Sequence, residues 1–200
     1  MKIAVYGSAL GDSTKEIREK ARELGREIAK KGHIIITGGC PGLPYEAVIG
    51  AKEKGGKTIA FSPGVDIEEQ KSIGFPVEGF DEFVFVPKDF SNVDDVSASG
   101  QDSNYKGNVR IAGKYRNVMS TASCDAGIIV GGQIGSLNEF TCLYDLGKNI
   151  GVLTGTGGTA DMIRNIVETL NKPTKSKIVY ESDPAKLIQE LEKLEKEVNK

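Results

Sequence analysis

The sequence predicts a doubly wound α/β fold built on a mostly parallel sheet of about seven strands, with helices on both faces. Short apolar runs alternate with segments of helical periodicity along the chain. The runs are unbroken rather than alternating, as strands covered on both faces require. A glycine or another small residue closes almost every run, the mark of tight strand-to-helix turns.

The first run, Ile3 to Tyr6, ends in Gly7 and Ser8, and a helix follows with Ile17, Ala21, Leu24 and Ile28 on one stripe. Ser13 and Glu16 have the spacing of a capping box, and Lys30, Lys31 and Gly32 supply a cationic last turn and a terminal glycine. The unit then repeats. His33 to Ile36 ends in Gly38 and Gly39, and a helix from about Pro44 carries Ala47, Val48 and Ala51 and stops at Gly55 and Gly56. A third strand, Thr58 to Phe61, closes with Ser62, Pro63 and Gly64. Further strands are predicted at Glu82 to Val86, Ala126 to Val130, Ile150 to Leu153 and Lys177 to Tyr180, with helical patterns before or between most of them. The last helix opens with Asp183 as N-cap and Pro184 at its first position, and carries Leu187, Ile188, Leu191 and Leu194. Residues 1–200 thus read as a single Rossmann-like domain, of a length that can bury one core. One stretch differs: residues 87–107 are polar and rich in Ser, Asn, Asp and Gly, which reads either as a functional lid or as a mobile loop.

A net charge of −2, with Lys and Glu mixed throughout, gives no basic field for a polynucleotide or an anionic membrane. No apolar run reaches the length of a membrane span, and the N-terminus enters a strand pattern at once, so the chain is expected in the cytoplasm. Cys40, Cys124 and Cys142 are odd in number and widely spaced, which predicts reduced thiols, no disulfide and no metal site.

In a parallel sheet the glycine-rich strand ends share one edge, where backbone N–H groups and helix N-termini favour an anion. Gly7, Ser8, Gly38, Gly39, Gly42, Gly131, Gly132, Gly135 and Ser136 are therefore candidate phosphate binders, although tight turns call for glycine in any case. The first loop lacks G-x-G-x-x-G and no P-loop lysine motif occurs, which argues against NAD and against ATP hydrolysis.

The most specific segment is Val130-Gly131-Gly132-Gln133-Ile134-Gly135-Ser136-Leu137-Asn138-Glu139, which follows a strand and opens a helix with Phe140, Leu143 and Leu146. It resembles the P-G-G-x-G-T-x-x-E signature of the LOG (LONELY GUY) proteins, once called lysine decarboxylases. It is closer still to the G-G-G-x-G-T-x-x-E form of the molybdenum cofactor carrier proteins. Thr37-Gly38-Gly39-Cys40-Pro41-Gly42-Leu43 with Glu46-Ala47 is similar to the G-G-x-x-G-[LV]-M loop, and Arg116-Asn117 before Asp125-Ala126 matches an R-N…D-A pattern of the carrier-like branch. The departures are Val130 for the LOG proline, Gln133 for the third glycine of the carrier form, Ser136 for threonine, Pro44 for methionine, and no M-H-x-R-K segment.

The resemblance implies a nucleotide-like ligand, either AMP-like or of the molybdopterin type, held by a carrier or binding protein that requires no other cofactor. It also implies an alternative, hydrolysis of the N-glycosidic bond of a nucleoside 5′-monophosphate to free base and ribose 5-phosphate. A third reading is a relative of the DNA-processing proteins that bind single strands, against which the missing basic stripe argues. Self-association as a dimer or tetramer is implied as well.

Carried over singly, the catalytic pair is Arg116 and Glu139, with Asn117 and Glu46 among the ligand-binding residues. A carboxylate can stabilise oxocarbenium character and orient water, and an arginine can hold the anion or steady the carboxylate. Each has a plainer reading. Ser136 and Glu139 also have capping-box spacing, Arg116 suits an ordinary ion pair, and Glu46 answers a helix dipole as readily as a ribose hydroxyl. Cys40 reads either as an activated thiol or as an unreactive small residue, and Tyr45 and Tyr115 as base-stacking or packed aromatics.

Overall fold

The computed structural model describes residues 1–9, 13–88 and 109–198. Seven strands and seven helices alternate along them: β1 (Lys2–Gly7), α1 (Lys15–Lys30), β2 (Ile34–Thr37), α2 (Leu43–Glu53), β3 (Thr58–Phe61), α3 (Ile67–Ser72), β4 (Glu82–Val84), α4 (Val109–Ser123), β5 (Ala126–Val130), α5 (Ile134–Asp145), β6 (Asn149–Leu153), α6 (Gly158–Leu170), β7 (Ile178–Glu181) and α7 (Pro184–Val198). All seven strands form one sheet, in the order β4-β3-β2-β1-β5-β6-β7, and every pairing is parallel. The order reverses between β1 and β5, so the chain winds outwards in both directions from these two central strands. Their carboxyl ends open the crevice in which doubly wound sheets hold ligands.

Alternate residues of each central strand supply the two layers of the core, because successive side chains point to opposite faces. Ile3 and Val5 of β1 join Ala21, Leu24 and Ile28 of α1, Ala47, Val48 and Ala51 of α2, and Leu187, Ile188 and Leu191 of α7. Ala4 and Tyr6 join Phe140 and Leu143 of α5 and Ala160 and Ile163 of α6 on the other face, where α4 packs beside α5. Each fully buried Ile or Leu contributes about 1.5–3 kcal/mol, which is why unbroken apolar strands carry this architecture.

Local signals place the helix ends with small corrections. Thr14 rather than Ser13 caps α1, its Oγ1 accepting from Ile17 N at 3.3 Å. Asp183 caps α7 through Lys186 N at 2.9 Å. β4 is shorter than its apolar run, ending at Val84. Beyond residue 88, the polar stretch 87–107 lies outside the described residues.

Candidate functional site

A cleft of about 380 Å³ opens at the carboxyl ends of β1 and β5. Gly7, Ser8 and Ala9 leave β1 along its floor, the first turn of α5 forms one wall, and Gly113, Lys114, Arg116 and Asn117 of α4 form another. Cys40 and Phe75 complete it from the β2 and β3 side.

The start of α5 is open to this cleft. Gln133 is its N-cap, with extended backbone and no side-chain capping bond, and the first intrahelical bond runs from Leu137 N to Gln133 O at 2.9 Å. The N–H groups of Ile134, Gly135 and Ser136 therefore have no acceptor within the helix, and they carry the positive end of its dipole. Ser136 is the third residue of the helix, so the capping-box reading is corrected: the bond it needs would require Ser136 to be the N-cap.

One turn further on, Glu139 is buried, with its side chain 8% exposed and Oε1 3.5 Å from Nη1 of Arg116, itself 12% exposed. Burial pushes the Glu139 carboxyl up to about 7, outweighing the opposite pull of Arg116 and Lys114. The Asn117 carboxamide meets that of Asn138 at 2.9 Å. With its NH2 turned to the acceptors beside it, Asn117 donates to Gly113 O at 2.9 Å and to Glu139 Oε1 at 3.1 Å. Beneath this group the Tyr6 hydroxyl donates to Ser120 Oγ at 2.9 Å, and Ser120 and Thr121 donate to the Asn117 carbonyl. The Nε of Arg116 is buried with no partner. A buried polar group without a partner costs about 1–3 kcal/mol, so the arginine is held ready for a further acceptor rather than spent on Glu139.

Gly38 explains how that arginine fits. A Cβ there would land on Arg116 Nη1, so the guanidinium occupies the space a side chain would fill. Gly38, nominated as a phosphate binder, admits the arginine and does not line the cleft. The other glycine loops chiefly hold one another. Gly39 N donates to Thr37 Oγ1 at 3.1 Å, Gly131 N to Thr156 Oγ1 at 2.8 Å, and Gly132 N to Ser8 Oγ at 2.8 Å. Gly42 abuts the Ser8 carbonyl, and Leu43 N donates to that oxygen at 2.9 Å. The Gly39, Gly131 and Gly132 amides are thereby engaged within the protein.

The sequence-nominated residues therefore divide. Gly7, Ser8, Gly135, Ser136, Arg116, Asn117 and Glu139 line the cleft. Glu46 faces α1 instead, its Oε2 accepting from Arg22 Nη2 at 2.6 Å and Nε at 3.1 Å, and it does not line the cleft. Tyr45 likewise packs on Phe80, with ring centroids 6.0 Å apart, and donates to Glu78 O. Cys40 lines the cleft as a buried thiol whose pKa burial raises to about 11, which keeps it protonated. Lys114 and Phe75 are new. Lys114 had a signal, since the described sequence of α4 carries basic residues and no acidic one. Phe75, in a polar connection, had none.

Among the described residues no group of three or more His, Cys, Asp or Glu could hold a metal ion, and no helix is long and apolar enough to cross a membrane.

Comparison with known proteins bears on the family and the fold. The SLOG cluster4 family model matches residues 1–81 and 99–188. An uncharacterized protein of Archaeoglobus fulgidus is 31% identical over 156 residues, covering 76% of this chain and 80% of that protein. The X-ray structure of TM1055 superposes over 96% of this chain and 98% of its own with a TM-score of 0.73 and 22% identity. The molybdenum cofactor carrier protein of Chlamydomonas reinhardtii covers 96% of this chain and 97% of its own, at a TM-score of 0.65 and 23% identity. DNA processing protein A of Helicobacter pylori, which binds single-stranded DNA, covers 98% of this chain and 81% of its own, at 0.60 and 19%. These structures share the fold, and the family match upholds the LOG-like resemblance read from the motifs. The chain belongs to the SLOG cluster4 family.

Proposed function

We propose that this chain binds a phosphorylated, nucleotide-like small molecule at the β1–β5 mouth and holds it as a carrier or binding protein. One observation carries the reading: the uncapped start of α5 leaves its first N–H groups without a helical acceptor, beside a cleft lined by Gly135, Ser136 and Lys114. That combination accepts an anionic group at the helix end. The partnerless Arg116 Nε offers a second charged donor deeper in. Superposition on molybdenum cofactor carrier and binding proteins favours a ligand that is held, an AMP-like nucleotide or one of the molybdopterin type.

The test is thermal shift against nucleoside monophosphates and phosphorylated pterins, with mass spectrometry of anything co-purified. A ligand selective for the folded state raises the melting temperature by mass action. No shift with either class, and nothing co-purified, sinks the proposal.

A second reading rests on Glu139. A buried carboxyl titrating near 7 beside an arginine is suited to proton transfer at neutral pH. Water would add to the ribose carbon of a nucleoside 5′-monophosphate as the base leaves with a proton. Release of free base from AMP that Glu139→Gln abolishes supports turnover, and binding without release leaves the carrier. Single-stranded DNA belongs in the same screen, because one structural relative binds it.

We also read the chain as self-associating, as a dimer or tetramer. Val118 of α4 and Met162 and Leu170 of α6 stand 50%, 60% and 70% exposed on one side of the sheet, and sedimentation equilibrium tests it.

A further inference from the structure

Phe75 is set apart from the other phenylalanines of the described structure. Phe61 and Phe140 lie in the core, and Phe80, Phe83 and Phe85 form a run of ring contacts with centroids 5.3 and 5.6 Å apart. Phe75 belongs to neither core cluster and lines the cleft, half-buried. An aromatic ring kept at a cleft wall rather than in the core is placed for something that enters the cleft.

It is also held still. Phe75 N donates to Gln70 O at 3.1 Å, and the following Pro76 restricts the Phe75 backbone to extended conformations. Gln70 is wholly buried, and its amide ties this turn to the opposite loop: Nε2 donates to Pro76 O at 3.0 Å and to Gly39 O at 2.8 Å, while Oε1 accepts from Ser62 Oγ at 2.6 Å. One buried side chain thereby fixes Phe75 and the neighbouring Cys40 in a common wall. Across the cleft the helices are bare where a flat ligand needs width, since a Cβ at Gly113 or Gly135 would meet nothing within 4 Å.

From these observations we infer that Phe75 is the stacking platform for a planar heteroaromatic ring, while the anionic group of the same molecule sits at the start of α5. This rests on the proposed binding of a nucleotide-like ligand and specifies what recognises its ring. Stacking of a base on an aromatic side chain typically changes affinity by about tenfold on removal of the ring. Gln70 acts through Phe75, as a positioning residue.

The chain contains no tryptophan, so Phe75→Trp installs a single indole at the platform, excited selectively over the tyrosines. Saturable quenching of its emission by AMP, and none by ribose 5-phosphate, is the expected result. Phe75→Leu, which keeps the apolar bulk without a ring, is expected to weaken AMP binding about tenfold while its unfolding midpoint stays close to that of the parent. If AMP raises the melting temperature of both variants as much as that of the parent, with no quenching, the platform is overturned and the binding reading stands. If neither AMP nor a phosphorylated pterin binds the parent protein, the binding reading falls and takes the platform with it.

Discussion

Two helix pairs on opposite sides of the sheet join arginine to glutamate in different ways. Between α1 and α2 the ions stay near solvent. Arg22 meets Glu46, and Arg26 meets Glu19, Glu23 and Glu53 at 2.6 to 2.8 Å, with Glu19, Glu23 and Glu53 39–59% exposed. Between α4 and α5, Arg116 and Glu139 are almost wholly buried, stand 3.5 Å apart, and leave one arginine nitrogen unused. The first pair has many short contacts in high dielectric, each worth about 0–1 kcal/mol. The second has one long contact where desolvation dominates, so its carboxyl titrates near 7. The α4–α5 pair is therefore the less satisfied of the two.

Glycine separates the pairs as well. α1 and α2 cross closely because a Cβ on Gly25 would strike the Ala47 carbonyl, a backbone obstacle that cannot move cheaply. Gly25→Ala should therefore cost about 3 kcal/mol, read as a lower denaturant midpoint, with ligand affinity of the folded fraction unchanged. Equal affinity loss and stability loss would break the division between a structural pair and a functional one.

A pH series on Glu139 comes next in size. The carboxyl titrates near 4.5 when unfolded and near 7 when folded, so between these values the folded state holds the extra proton. The stability this contributes is complete below pH 4.5 and is lost as pH rises to 7, by about 3 kcal/mol. Glu139→Gln cannot ionise, so its unfolding free energy should lack that fall and exceed the parent's at pH 8. Parallel pH curves for the two proteins would show that Glu139 is not perturbed.

Gly38→Ala probes the same pair without replacing either residue. Its Cβ displaces a flexible arginine tip rather than backbone, so stability should fall by less than about 1.5 kcal/mol. AMP affinity should drop about tenfold as Arg116 is pushed aside. Unchanged affinity by calorimetry would remove Arg116 from the binding site. The smallest effect is expected on the solvent side: Glu46→Gln should change stability by less than about 1 kcal/mol and leave ligand affinity alone, and any larger binding loss would return Glu46 to the site.

Much of this was legible in advance, for identifiable reasons. The strands Thr58–Phe61 and Ala126–Val130 fall at the predicted residues because a short, largely apolar run with β-branched residues between turn residues has few other uses. Arg116, Asn117 and Glu139 were found through motif spacing, and the fold does bring them together. The partner of Glu46 was not legible, because a glutamate in the first turn of a helix shows its distance to the dipole but not which neighbouring helix it faces. The roles of the glycines were half legible, since a positive φ or a close approach is signalled by glycine while the atom that approaches is not.

The succession of strands and helices and the apolar stripes were determined by the chain itself, because these depend on neighbours within a few residues. What only the tertiary structure decided is electrostatic and long-range. Glu139 becomes poised because α4, α5 and the Gly38 loop close over it and exclude water, and Phe75 becomes a wall because Gln70 ties two distant loops together. Desolvation is a property of everything packed around a group, and no local stretch of sequence contains it.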